Sequence, residues 1–172
     1  MSDKSPERRK APPTDGATRE MLRHTVATLA YRAAKALRDA PASFAEFKVG
    51  PTSRTPAQIL AHMGDLFDWA LHLANGAWTW RDTPPQPWDA DCARFFTALA
   101  AFDARLAQRD ALGHSAEILF QGPVADALQH TGQLTMLRRL AGSPVKGESY
   151  ARAEIVVGRV GAEQAAPKRE FD

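Results

Sequence analysis

The chain has 172 residues, which favours a single domain, and its hydrophobic content of 44% is enough for one core. Its 22 basic and 20 acidic residues give a formal net charge of +2, so composition indicates neither a nucleic-acid nor a membrane-surface partner. No apolar run reaches the roughly 20 residues of a membrane span. The first residues lack the apolar segment of a secretory signal, and the single cysteine excludes an internal disulfide. We therefore expect a cytoplasmic protein.

The N-terminal part of the sequence separates into a tail and a first helix. Residues 1–14 are charged and rich in proline, which predicts a disordered tail. A helix is expected from about Asp15 to Asp39, because apolar residues recur along one face at helical spacing. In the loop that follows, Phe44 and Phe47 are expected to fold back onto the helices.

The second helix has the clearest start signal in the chain. Thr55 is a suitable N-cap, Pro56 sits at the first helical position, and Gln58 completes a capping-box pattern. We expect this helix to extend to about Asn75. His62 lies on its apolar face, where a buried polar group needs a partner.

Aromatic residues are dense around the end of the second helix. Trp69 follows His62 by seven residues and lies on nearly the same side, and a connector rich in tryptophan and proline spans Trp78 to Trp88. Aromatic residues at this density pack over a core edge or line a pocket. Trp69 and the connector are therefore candidates for a cofactor-binding pocket wall, with simple packing as the alternative.

A third helix is predicted from about Asp89 to Asp110, with Asp89 as its N-cap. Cys92 falls in its first turn. We interpret Cys92 as a small buried residue, and a reactive thiol is the alternative.

The fourth helix is predicted from Gly122 to Gly142, because Gly-Pro opens this stretch and Gly-Ser-Pro closes it. The Glu-Ile-Leu-Phe segment before it, residues 117–120, could add an extra turn of helix. At about 100° per residue, one stripe contains three polar residues followed by leucines: Asp126, His130, Gln133, Leu137 and Leu140. Because this stripe is expected to be buried, its three polar side chains need hydrogen-bond or metal partners.

His62, Asp126 and His130 together predict a metal site between two facing helices. Two imidazoles and one carboxylate leave coordination positions open, as catalytic sites do, and they suit Zn, Fe, Ni or Mn. The alternatives are a satisfied core histidine at position 62 and an Asp126 that only favours the helix dipole. Gln133 could bond a ligand or join two helices. His114 is a possible substitute ligand.

The last part of the chain is not helical in pattern. Residues 143–172 form an irregular C-terminal extended arm, in which Ala153 to Val160 could be a short strand or an extended segment that lies along the helices or reaches a second subunit. The predicted fold is all-α, a four-helix bundle over residues 15–142.

Two segments resemble the DinB/YfiT-like superfamily of metalloenzymes: TPAQILAHMGDL, residues 55–66, and DALQHTGQLTMLRRLAGSPV, residues 126–145. In that superfamily a metal-binding histidine lies early in the second helix, which His62 matches. Two more form a His-x-x-x-His pair in the last helix, and His130 matches the second of them. Asp126 stands at the position of the first, so this sequence departs from the usual three-histidine set.

The resemblance implies a bundle that dimerises and binds a small-molecule substrate, with a low-molecular-weight thiol as a possible cofactor. Relatives include thiol-dependent S-transferases and a thiol-dependent isomerase. Three hypotheses follow: a metal-dependent enzyme that transfers or adds a thiol; a non-catalytic dimeric bundle that acts as a ligand-binding or stress-response protein; and a metal-dependent hydrolase, for which Glu117 or Glu148 could act as the general base.

Overall fold

A computed structural model of the chain describes residues 16–171, most of which are helical, so the all-α class is confirmed. The α-helices are α1 (Gly16–Leu37), α2 (Pro56–Ala74), α3 (Trp88–Ala107), α4 (Ala116–Leu119) and α5 (Ala125–Leu140). A π-helical turn, Phe120–Val124, joins α4 to α5, and short 3-10 turns occupy Ala42–Phe44 and Tyr150–Arg152. The predicted tail over residues 1–14, and Asp15 at the predicted start of the first helix, lie outside the described residues.

The four long helices surround one hydrophobic core. Helix α2 packs against α3 and α5, and helix α1 packs against the same two helices from the other side. Phe44 is fully buried and Phe47 packs on the core, as predicted. Of the helices between residues 16 and 171, none is both long and apolar enough to cross a membrane.

The start of α2 matches the prediction closely. Gln58 donates its backbone N–H to Thr55 Oγ1 at 3.2 Å, and Thr55 donates its backbone N–H to Gln58 Oε1 at 2.9 Å. Pro56 occupies the first turn. This reciprocal cap satisfies two backbone donors that the helix leaves open, and it fixes the first turns of the helix that carries His62.

The predicted start of the last helix at Gly122 is wrong. Helical structure begins earlier, at Ala116, and runs through the π turn without interruption to Leu140. Pro123 lies inside the π turn, where the Ala125 N–H bonds to the carbonyl of Phe120, five residues earlier. At the other end Leu140 is 54% exposed, so its predicted place in the core stripe is also wrong.

Helix α3 begins at Trp88 and ends at Ala107, slightly short of the predicted Asp110. The predicted N-cap is wrong, because Pro87 rather than Asp89 occupies that position, without a side-chain hydrogen bond to the first turn. Asp65 on α2 is buried although it carries a charge. Arg94 from α3 reaches its carboxylate at 2.8 Å, and the Thr83 N–H donates to it at 2.9 Å. The connector between α2 and α3 is therefore anchored on a buried carboxylate.

The C-terminal arm lies along the helices. Gly147–Glu148 (β1) pairs antiparallel with Glu170–Phe171 (β2), while residues 153–160 form no strand, which leaves the extended alternative for that segment. Tyr31 donates to Glu148 Oε1 at 2.7 Å, and Lys35 donates to Glu148 Oε2 at 2.9 Å. The arm thereby buries the side of α1 that the helical stripe alone would leave in solvent.

Candidate metal centre

The structure brings together the three residues that were predicted to bind metal. His62 comes from α2, whereas Asp126 and His130 lie one turn apart on α5. His62 Nε2 is 3.3 Å from Asp126 Oδ2, and His130 Nε2 is 3.4 Å from Asp126 Oδ1. One potential ligand atom from each residue lies within 4.8 Å of the other two, so the group could hold a metal ion.

The donors and their spacing fit a divalent ion. Two imidazoles and a carboxylate are ligands for Zn²⁺ and for non-haem Fe²⁺. Around an ion with bonds of about 2.1 Å, tetrahedral ligands are about 3.4 Å apart. Each histidine already lies at about that distance from one oxygen of the Asp126 carboxylate, His62 from Oδ2 and His130 from Oδ1. Small side-chain movements therefore suffice to bring one ligand atom from each residue, now within 4.8 Å of one another, around one ion.

Gln133 orients the ring of His130. Its Oε1 lies 2.7 Å from His130 Nδ1, and an amide oxygen can only accept a hydrogen bond, so Nδ1 carries the proton. In the neutral ring, Nε2 then presents a lone pair to an Asp126 oxygen that is also an acceptor. Two acceptors at 3.4 Å repel each other unless a cation or a second proton on the ring lies between them. Of the two interpretations considered for Gln133, the contact with a predicted ligand is the one observed.

The cluster lies on the wall of an open cleft. The His130 side chain is 8% exposed, that of His62 20% and that of Asp126 39%. The cleft has a volume of about 640 Å³, within the usual range for small-molecule sites. Its lining comprises Ser53, Arg54, Ile59, His62, Asp126, His130, Gln133, Met136 and Leu137.

Tryptophans lie beside the cluster, although Trp69 itself does not line the cleft. The ring of Trp80 packs edge-on against His62 with 5.5 Å between centroids, and Trp69 packs against Trp80 at 5.7 Å. Trp69 is thus one ring removed from the candidate ligand, and its role in cofactor binding stays a prediction. Its Nε1 is the one buried side-chain nitrogen without a partner in the described part of the chain. Trp80 belongs to the connector that was predicted as a pocket wall, although no periodicity singled out this residue as the neighbour of His62.

The remaining candidates lie away from the cluster. His114 packs against Trp78 at 5.5 Å. Neither proposed general base lines the cleft: Glu148 is held by α1, and Glu117 is exposed in the first turn of α4.

Cys92 is half-buried, and burial is the main cause that raises the pKa of its thiol to about 12. The negative charges of Asp89 and Asp91 act in the same direction. These surroundings favour the structural interpretation of Cys92 over a reactive thiol.

Comparisons of the chain with protein-family models, with curated proteins and with solved structures find no match.

Proposed function

We propose that this protein is a metal-dependent enzyme in which His62, Asp126 and His130 hold one divalent ion, and that it transfers or adds a small thiol to an electrophilic substrate. The observation that carries the proposal is the convergence of the three side chains: His130 Nε2 lies 3.4 Å from the Asp126 carboxylate, while Gln133 holds the other ring nitrogen of His130. With a neutral His130 ring, a cation between the imidazole and the carboxylate replaces a repulsive contact by two favourable ones, and His62 supplies a third donor from the facing helix.

The fold supports the same proposal. Four long helices, each against two others, are consistent with a DinB-like four-helix bundle, whose core commonly hosts metal sites. The resemblance of residues 55–66 and 126–145 to that superfamily leads us to propose a thiol cofactor and a homodimer as well. Light scattering of the purified protein tests the dimer directly.

Each group of cleft residues has a distinct role in the proposed reaction. A divalent ion bound here would lower the pKa of a bound thiol and so supply a thiolate at neutral pH. Gln133 fixes the orientation of His130, and Asp126 contributes the negative charge that favours a cation. Ile59 and Leu137 give the cleft apolar surface that excludes water from part of a bound ligand.

Metal analysis of the purified protein is the first test. We expect close to one equivalent of Zn, Fe, Ni or Mn, or saturable uptake of one equivalent on titration. Less than about a tenth of an equivalent, with no uptake, would refute a metal site, because ligands of this kind bind such ions tightly.

A metal-free polar cluster is the second candidate, and one observation favours it. His62 Nε2 lies within hydrogen-bond distance of Asp126 Oδ2 at 3.3 Å. If both ring nitrogens of His130 are protonated, this imidazole forms an ion pair with the other carboxylate oxygen at 3.4 Å, and the cluster needs no metal. The protein would then be a non-catalytic bundle that binds ligands or acts in a stress response.

The variant His130→Ala separates the two candidates. A metal site predicts that the variant loses the metal-induced rise in melting temperature and changes little in metal-free buffer. A structural cluster predicts the reverse, since the loss then appears without metal. His24→Ala is the matched control, because His24 is exposed on α1 and does not line the cleft.

A further inference from the structure

Arg54 is an arginine at the rim of the cleft whose guanidinium has no carboxylate partner among residues 16–171. It is exposed, and it lines both the main cleft and an adjoining pocket of about 170 Å³; His62 also borders both. Other arginines are held by the protein itself: Arg94 by carboxylates and Arg138 by backbone carbonyls. Within residues 16–171, no carboxylate lies within ion-pair distance of the Arg54 guanidinium.

The backbone on both sides of Arg54 is fixed, although its side chain is free. Before it, Ser53 Oγ accepts hydrogen bonds from the N–H groups of Val49 and Gly50 at 3.2 and 3.1 Å. After it, the capping box of Thr55 begins α2. The guanidinium therefore extends from a defined point, and binding a ligand there does not require ordering a loop.

The cleft between Arg54 and the candidate metal ligands is lined with apolar side chains. From Thr55 to His62 the helix rises by roughly 10 Å. Ile59 lies between them on α2, and buried Leu137 faces the same space from α5. The cleft thus presents metal-binding groups at one end, an apolar wall in the middle and a positive charge at the other end.

We infer that the natural ligand of the cleft is an elongated organic anion, with a metal-binding atom at one end and a carboxylate or similar anionic group held by Arg54 roughly 10 Å away. This inference rests on the proposed metal-dependent function and names the substrate class of the same site. Arg54 and Asp126 are the two oppositely charged side chains of the lining, and they orient such a ligand in one direction, with its anionic group away from Asp126.

Simple mercaptans test the inference. By titration calorimetry on the zinc-loaded protein, 6-mercaptohexanoate is expected to bind about fivefold more tightly than 6-mercaptohexan-1-ol, the effect of one exposed ion pair. The shorter 3-mercaptopropanoate reaches Arg54 poorly, so it should gain no such advantage over 3-mercaptopropan-1-ol.

Variants assign the effect to Arg54. Arg54→Gln should remove the preference for the carboxylate and leave zinc affinity unchanged. Arg139→Gln should keep the preference, because Arg139 is exposed on α5 and does not line the cleft. An equal affinity of wild-type protein for acid and alcohol, or a preference that survives in Arg54→Gln, would overturn the inference.

The outcome for the metal is measured separately. If zinc binds but the preference is absent, the anionic substrate is wrong and the proposed function stands. If zinc does not bind, the same pair of mercaptans is titrated without metal. A preference that Arg54→Gln abolishes then supports the anion site alone, and its absence refutes that site too.

Discussion

Replacing Gln133 by alanine tests whether this residue orients His130 for metal binding. The substitution removes the oxygen that lies 2.7 Å from His130 Nδ1. Alanine has the highest helix propensity, so α5 itself is not weakened. The imidazole is then free to rotate and to exchange its tautomer, which lowers its basicity and its preorganisation toward the ion.

The expected size of the effect follows from the exposure of Gln133. Loss of a partner that orients a metal ligand typically costs about 10- to 100-fold in affinity. Because Gln133 is exposed, water can partly replace it, and we expect a loss of about tenfold. At a metal concentration of 100 Kd, binding stabilises the wild-type protein by about 2.7 kcal/mol, and a tenfold weaker site leaves about 1.4 kcal/mol. At roughly 2–4 °C per kcal/mol for a chain of this size, the metal-induced rise falls from about 5–11 °C to about 3–6 °C.

Thermal unfolding at a series of zinc concentrations measures this rise. The control is Gln129→Ala, since Gln129 is exposed on the same helix and does not line the cleft. Gln133→Glu keeps an acceptor for Nδ1 and should retain the rise. An unchanged rise in Gln133→Ala would refute the orienting role, and a Gln133→Glu variant as weak as Gln133→Ala would contradict the assigned tautomer of His130.

Two further predictions concern buried groups. Arg138 is 5% exposed and donates to carbonyls at the C-terminal end of α1 and to Ser143 O, so Arg138→Met should lower the free energy of unfolding in urea by about 3 kcal/mol. As the control, Arg139→Met at the exposed neighbouring position should change the free energy of unfolding by less than about 0.5 kcal/mol. Equal losses in the two variants would contradict a stabilising role of the buried Arg138 hydrogen bonds. With a thiol pKa of about 12, Cys92 should be thiolate in only about one molecule in 10,000 at pH 8. Its reaction with Ellman's reagent should therefore be far slower than that of free cysteine until the protein is unfolded, and a fast reaction of the native protein would show that the thiol is accessible and ionised.

Features that depend on residues close together in the sequence could be predicted. Thr55, Pro56 and Gln58 determine the start of α2 without help from the rest of the fold. The i, i+4 spacing of Asp126 and His130 puts both on one face of any α-helix. These two residues can approach His62 if α2 and α5 are neighbouring helices, and in the structure the two helices are in contact.

Features decided by distant parts of the chain were not predictable in this way. A carboxylate such as Asp65 ordinarily lies in solvent, but Arg94 from another helix compensates its burial. Tyr31 is covered by an arm more than 100 residues later in the chain, which bonds it through Glu148. Arg54 was not predicted because it lies outside the regular helices, where periodicity gives no information about the direction of a side chain.

The π turn explains how the site could be predicted although the start of its helix was wrong. Leu119 and Val124 are both fully buried, yet five residues at about 100° each would place them about 140° apart on a uniform α-helix. The wider turn, closed by the bond from the Ala125 N–H to Phe120 O, brings them to the same side and also accommodates Pro123, which has no N–H to donate. A helical wheel with one fixed angle fails across such a turn. Asp126, His130 and Leu137 all follow it, within the regular part of α5, and there the fixed angle holds.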